Sequence, residues 1–276
     1  MQVRKAAVAG QFYPGSRDDL LLMLDELFKA VRTEEKADKI QINALIAPHA
    51  GYIFSGRQAA KAYQYLESGQ HDLVCIISPS HREYFPGISI YPGDAYKTPL
   101  GTCQVHEEAR NLALTCDGIS SGFDGHRAEH ALEVQLPFLQ YVLKDIPVLP
   151  VVMGDQGYAS IEEMAACVKK LYGTYRDKIL FVASSDLSHF HSAEQAAQMD
   201  ARFMDLLARS EIEEAYRKLE RHEVEACGGG PILAVMKGLD ISSAEIRVLG
   251  YSHSGEVLHD DDSVVGYTSA IMIKEH

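Results

Sequence analysis

Apolar residues along the chain follow two alternating rhythms. Runs such as ALIAP at 44–48, LVCIISP at 73–79 and ILFVAS at 179–184 are apolar at almost every position. Strands of that kind fit the middle of a sheet covered on both faces. Eight segments read as strands: 3–9, 42–47, 72–78, 87–91, 147–153, 178–184, 244–252 and 264–273. The stretches between them carry the 3.6-residue helical period, over 17–32, 56–68, 105–115, 128–143, 160–172, 192–209, 211–221 and 230–238. DDLLLMLDELFKAV opens on two acids, which suit a helix N-terminus. Pro137 should kink or break the 128–143 helix. No linker rich in Pro, Gly or Ser divides the chain, no repeat of fixed period appears, and 117–127 reads as a surface loop. The pattern predicts one α/β domain over 1–276, three layers deep, with a largely parallel central sheet flanked by helices.

In such sheets ligands bind beyond the carboxyl ends of the strands, where several loops converge. Three strand candidates end in chemistry-bearing groups: ALIAP runs into His49, VCIISPS into His81, and ILFVASS into Asp186 and His189. Cys227, in EACGGGPILAV, stands at a predicted helix entrance with Pro231 in the first turn. If the strands are parallel, these groups share one edge of the sheet.

A histidine on a tight turn can offer one nitrogen to a metal while the other bonds a carbonyl or carboxylate. The alternative is a histidine that caps a strand end with two hydrogen bonds. Two histidines in equivalent places, joined by SSDLSH, favour the metal. Cys227 precedes three glycines, so backbone N–H groups can approach its sulfur and a helix N-terminus would favour the thiolate. The alternative there is a buried thiol beside a Gly-rich turn. Asp186 would orient a ligand imidazole or bind the metal itself, or else cap the following helix. His189 would act as general acid or base. His130 and Glu133, at i and i+3, read as an ordinary surface hydrogen-bonded pair rather than as support for the site. Gly51 should permit a tight turn after His49, with Tyr52 and Phe54 walling a cavity that leaves room for metal and substrate.

Composition narrows the function. The 26 Lys and Arg against 39 Asp and Glu give a net charge of −13, with no basic stripe. That disfavours binding to nucleic acid or to an anionic membrane surface. No apolar stretch approaches the length that spans a bilayer, and MQVRKAAVAGQFYPGS lacks the apolar core of a signal peptide. The five cysteines show no CxxC spacing, which predicts reduced thiols and a cytoplasmic location. GISSG at 118–122 matches GxSxG without a preceding apolar strand, and GGG at 228–230 fits no nucleotide-binding motif.

The stretches AGQFYPG, APHAGYIFSG, SPSH, YKTPLG, EHALEVQLPFL, SSDLSHF, ACGGGPI and SVVGY, spread over nearly the whole chain, resemble the Memo family, called AmmeMemoRadiSam system protein B in bacteria. The family in turn looks like a relative of class III extradiol dioxygenases, the LigB-type enzymes that open catechol rings with iron(II). The resemblance implies a LigB-like fold and a metal site from His49, His81 and Cys227, with Asp186 and His189 beside it. It also implies AMMECR-type and radical SAM partner proteins. LigB-type enzymes use two histidines and a carboxylate, so a cysteine in the third place departs from their pattern. A thiolate changes the metal's redox behaviour and is itself open to oxidation.

Three functions compete. The first is an oxidoreductase holding iron(II), with copper or zinc as alternatives, in which His189 and Asp186 serve the chemistry. The second is an adaptor that binds metal or peptide in redox or signalling roles, as the resemblance to eukaryotic Memo proteins implies. The third is zinc-assisted hydrolysis with His189 as base.

Overall fold

The computed structural model describes residues 1–32, 40–240 and 244–274. Its elements run β1 (Val3–Arg4), α1 (Arg17–Val31), β2 (Ala44–Ala47), α2 (Tyr52–Tyr63), β3 (Leu73–Pro79), β4 (Ile88–Ile90), β5 (Ala95–Thr98) and β6 (Gly101–Gln104). There follow α3 (Glu107–Ala113), β7 (Ile119–Ser121), α4 (Gln135–Leu143), β8 (Val148–Met153), α5 (Tyr158–Tyr175), β9 (Ile179–Ser184) and β10 (His189–His191). The chain closes with α6 (Ala193–Ala208), α7 (Ile212–Glu220), α8 (Gly229–Gly238), β11 (Ala244–His253) and β12 (Val264–Lys274).

The large sheet has the order β10-β12-β2-β9-β3-β8-β4-β7, with β11 paired to β12. Its centre, β2-β9-β3-β8, is parallel throughout. On one side β12 runs antiparallel to β2, and on the other β4 runs antiparallel to β8. The sheet is therefore mixed, with a parallel heart. Alternate residues of the central strands feed two cores. Ala44, Ile46, Cys75 and Ile77 pack under α5, α6 and α8. Leu45, Ala47, Val74 and Ile76 pack under α1, α2 and α4. That is why these runs are apolar at every position: each residue has a helix layer to meet. The result is an α/β domain of helix, sheet and helix. Among the described residues no helix is long and apolar enough to cross a membrane.

Local chemistry sets the helix ends. Ser16 caps α1 by accepting from Asp19 N–H at 3.2 Å, with Asp18 and Asp19 in the first turn. The 128–143 segment differs from expectation. Its helix begins only at Gln135, which puts Pro137 in the first turn, where its missing N–H has no partner to lose. Residues 129–134 are thereby released as a loop. Segment 3–9 forms only the two-residue β1, which joins β5 and β6 in a separate small sheet.

Candidate metal centre

β2, β9 and β3 are parallel neighbours, so the loops that follow them leave from one edge of the sheet. The loop after β2 carries His49, the loop after β3 carries His81, and Asp186 and His189 follow β9. The ring centroids of His49 and His81 are 5.0 Å apart. A third imidazole, His130, stands 4.8 Å from His81 and 5.5 Å from His49. One ligand atom from each of the three lies within 4.8 Å of the others. Two nitrogens bound to one metal at about 2.1 Å can be no more than about 4.2 Å apart, so small ring rotations suffice to close the set on an ion.

Hydrogen bonds decide which nitrogen each ring presents. Ser184 Oγ donates to Ala131 O at 2.7 Å, so its lone pairs accept from Gln135 Nε2 at 2.8 Å and from His49 Nδ1 at 2.9 Å. The proton of neutral His49 is thus on Nδ1 and the lone pair on Nε2. His81 Nδ1 donates to Glu129 Oε1 at 3.0 Å, with the same consequence. Glu129 Oε1 also accepts from the His130 and Ala131 N–H groups, each at 2.9 Å. Burial alone would raise this carboxyl, but the His81 bond and charge and the backbone donors outweigh it and hold it down at about 2. His130 Nδ1 is buried and makes no hydrogen bond, although Glu129 Oε1 is 3.2 Å away. Burial also pushes His49 well below the usual imidazole range and His130 down to about 4. His49 and His130 are thus neutral at pH 7, the state that metal binding requires.

Cys227 stands beside this set rather than within it: the group of mutually close ligand atoms holds the three histidines, and the sulfur touches one ring. Its sulfur is 3.1 Å from His49 Nε2 and accepts from Asp186 N–H at 3.2 Å. The expected approach of the glycine N–H groups to the sulfur does not occur, because each has another partner. Gly228 donates to Ser185 Oγ, Gly229 to Ala226 O, and Gly230 to Gln156 Oε1. The glycines serve packing instead: a Cβ on Gly228 would lie 2.1 Å from Ser184 O, so only glycine lets α8 start against the end of β9. Without those donors, burial and then the Asp186 charge push the Cys227 thiol up.

Asp186 does not cap a helix, since β10 follows it. Its Oδ1 accepts from His49 N–H at 2.7 Å and fixes the β2 loop. Its Oδ2 is 3.9 Å from His49 Nε2. Burial outweighs the His49 and Ala50 N–H groups and raises its carboxyl to about 7. His189 Nδ1 donates to Leu187 O at 2.8 Å, which leaves Nε2 as its basic nitrogen, and burial lowers the ring's proton affinity.

His130 and Glu133 do not form the expected surface pair. Glu133 is fully buried and accepts from Ala7 N–H at 2.8 Å, Val8 N–H at 3.0 Å and Tyr13 Oη at 2.5 Å, besides an ion pair with Arg4. Arg4 also donates to His126 O at 2.9 Å and Glu129 O at 2.6 Å. Residues 4–13 thereby clamp the 126–133 loop, and Phe12 lies against His130 with centroids 4.9 Å apart. Tyr52 is not a cavity wall: it is buried between Tyr13 and Phe138 and donates to Val134 O at 2.6 Å. Gly51 has φ −55°, open to any residue, so it is not needed for a special turn. His130 was missed because no strand precedes it. The available signal was EH placed just ahead of a helix that a proline delays.

A model of the Memo-like protein family matches residues 4–271. The chain belongs to the Memo-like family. A MEMO1 family protein of Thermoplasma volcanium is 34% identical over 275 residues, covering 99% of each chain. One from Methanosarcina barkeri is 36% identical over 274 residues, covering 98% of this chain and 100% of its own. Among solved structures, an uncharacterized protein of Escherichia coli K12 superposes with a TM-score of 0.51 at 16% identity, over 84% of this chain and 99% of that one. That likeness bears on the fold alone.

Proposed function

We propose that this Memo-like protein holds a transition metal, iron(II) or copper before zinc, and works as an oxidoreductase. His49 and His81 would supply imidazole nitrogens, Cys227 a sulfur, and His130 a further nitrogen. The observation that carries the reading is the proton arrangement. Ser184 and Glu129 take the Nδ1 protons of His49 and His81, so each ring carries its lone pair on Nε2. The orphaned nitrogen of His130 fits a missing partner of the same kind. A soft sulfur beside imidazoles suits copper or iron better than magnesium or calcium. When bound, such a metal supplies one-electron chemistry and activates oxygen-containing ligands.

The protein's own groups do the rest. Asp186 anchors the His49 loop, and its buried carboxyl stands next to the donor atoms. His189 offers one basic nitrogen to a substrate proton. The relation to LigB-type extradiol enzymes, and the gene-neighbour partners that the bacterial family name implies, belong to this proposal.

Elemental analysis of anaerobically purified protein beside the His49→Ala, His130→Ala and Cys227→Ser variants tests the ligands. About one equivalent of iron or copper in the parent is expected, with a loss in His49→Ala and Cys227→Ser. Metal content unchanged by both substitutions overturns the site. Metal-loaded protein that consumes no oxygen with phenolic or peptide substrates removes the oxidoreductase part and leaves a binding protein.

A further inference from the structure

A pocket of about 330 Å³ opens beside the centre, between the start of α8, the end of α7 and the loop after β9. That volume lies at the lower end of the range for small-ligand sites. His189 and Cys227 reach it from the side of the centre, and Ile161, Leu187, Leu219 and Val224 give it an apolar floor.

Its polar groups are nearly all acceptors. Glu220 and Glu225 line the wall, and among the described residues no lysine or arginine does. Glu225 bonds His191 Nε2 at 3.1 Å and accepts from His189 N–H at 3.3 Å, which leaves lone pairs on both oxygens. Tyr216 lines the wall near Glu220, and burial and then the Glu220 charge strengthen its hold on its proton. The start of α8 would ordinarily attract an anion. Here its donors are spent: Gly228 on Ser185, Gly229 on Ala226 and Gly230 on Gln156, while Pro231 has no N–H. Gln156 is spent too, because its Nε2 donates to Cys227 O at 2.8 Å. A ligand in this pocket meets carboxylates and one imidazole lone pair, with the Tyr216 hydroxyl and His222, at the exposed rim, as neutral side-chain donors and no Lys or Arg among the described lining residues.

We infer that the pocket takes a small amine in its ammonium form on an apolar body, with Glu220 and Glu225 as counter-charge. As a statement about the substrate of the proposed metal centre this rests on that reading; as a statement about the pocket it does not. An ammonium brings three donors and a positive charge to a wall rich in acceptors and without a Lys or Arg. A carboxylate of the same size would face two like charges, with the N–H groups at the start of α8 already engaged. The apolar floor then holds the body of the ligand, which orients it toward His189 and Cys227.

Hexylammonium, hexanoate and 1-hexanol are suitable probes, titrated by amide NMR into the full-length protein with and without chelator. Hexylammonium should bind at least about tenfold tighter than hexanoate, a gap of about 1.4 kcal/mol. Its shifts should centre on Leu219, Val224 and Ala226. Glu220→Gln with Glu225→Gln should weaken it at least about fivefold and leave hexanol nearly unchanged. Should the double variant fold poorly, Glu220→Gln alone, on the rim, should still weaken it measurably. Hexanoate binding as tightly as hexylammonium, shifts centred elsewhere, or no binding by any probe would overturn the inference. The metal reading is scored separately: His49→Ala should lose metal while its hexylammonium titration stays as in the parent.

Discussion

Replacing Arg4 by Met tests how the first residues of the chain support the centre. Both members of the Arg4–Glu133 pair are buried, with side chains 5% and 0% exposed. Met keeps the bulk of the arginine stem, so the cost is electrostatic. Glu133 would keep its charge and its bonds to Ala7, Val8 and Tyr13 but lose its counter-ion, while the His126 and Glu129 carbonyls lose their donors. Leaving one partner of a buried pair costs about 3–5 kcal/mol. For a chain of this size that is a fall in Tm on the order of 6–20 °C. Glu133→Met alone should also destabilise, because three donors that now point at a carboxylate would point at a methyl group. The double variant should be less damaged than the two singles summed, by about 1–3 kcal/mol, since neither charge is then stranded. Urea unfolding of all four proteins at pH 7 measures each value. Arg4→Met costing under about 1 kcal/mol, or strict additivity in the cycle, would refute the reading that these charges depend on one another.

Three further outcomes follow from particular atoms. Ser184→Ala removes the acceptor that holds the His49 proton on Nδ1, so metal affinity measured by chelator competition should fall about 10–100-fold; a change under about twofold would show that the tautomer does not matter. Gly266→Ala puts a Cβ 1.9 Å from Asp200 Oδ2 in a fully buried place, and should cost about 1–3 kcal/mol in urea unfolding; a neutral result would mean that the Asp200 carboxylate is free to move. Burial holds folded His126 at about 3 against its ordinary 6.5, so the unfolded chain protonates first as pH falls. Its contribution is full above 6.5 and is lost at about 1.4 kcal/mol per pH unit down toward 3. The stability gap between wild type and His126→Gln should therefore shrink on acidification, and a gap constant from pH 7 to pH 4.5 would contradict the assignment.

The parallel heart of the sheet was legible because its chemistry is simple. Every residue of ALIA and LVCII belongs to one core or the other, and those stretches have no polar position to hide the pattern. The strands that escaped notice have no such burial. β5 and β6 form a tight hairpin around Pro99 and Leu100, with exposed residues in both strands. β7 is mostly exposed, and β10 is three residues long with an irregular register against β12. Short, half-wet strands leave no period to read.

The centre was legible to the extent that it is a property of topology. Parallel neighbours deliver His49, His81 and the SSDLSH segment to one edge, and strand ends can be recognised in sequence. What could not be read is the part that depends on a carboxylate's partners. Glu129 and Glu133 stand four apart, both buried, and differ only in what they hold: one fixes His81 and the loop of His130, the other neutralises Arg4 and ties down the N-terminal turn. A spacing of i to i+3 suggested a helix face, yet Pro137 delays the helix to Gln135 and frees the segment to turn inward. Had the helix begun at Ala128, His130 and Glu133 would share one helical face, and the loop that now brings His130 to His81 would not exist. The proline that reads as a defect in a helix is thus the residue that permits the third imidazole, and moving the helix start back by Pro137→Ala should pull His130 away from His49 and weaken metal binding without loss of helix content by circular dichroism.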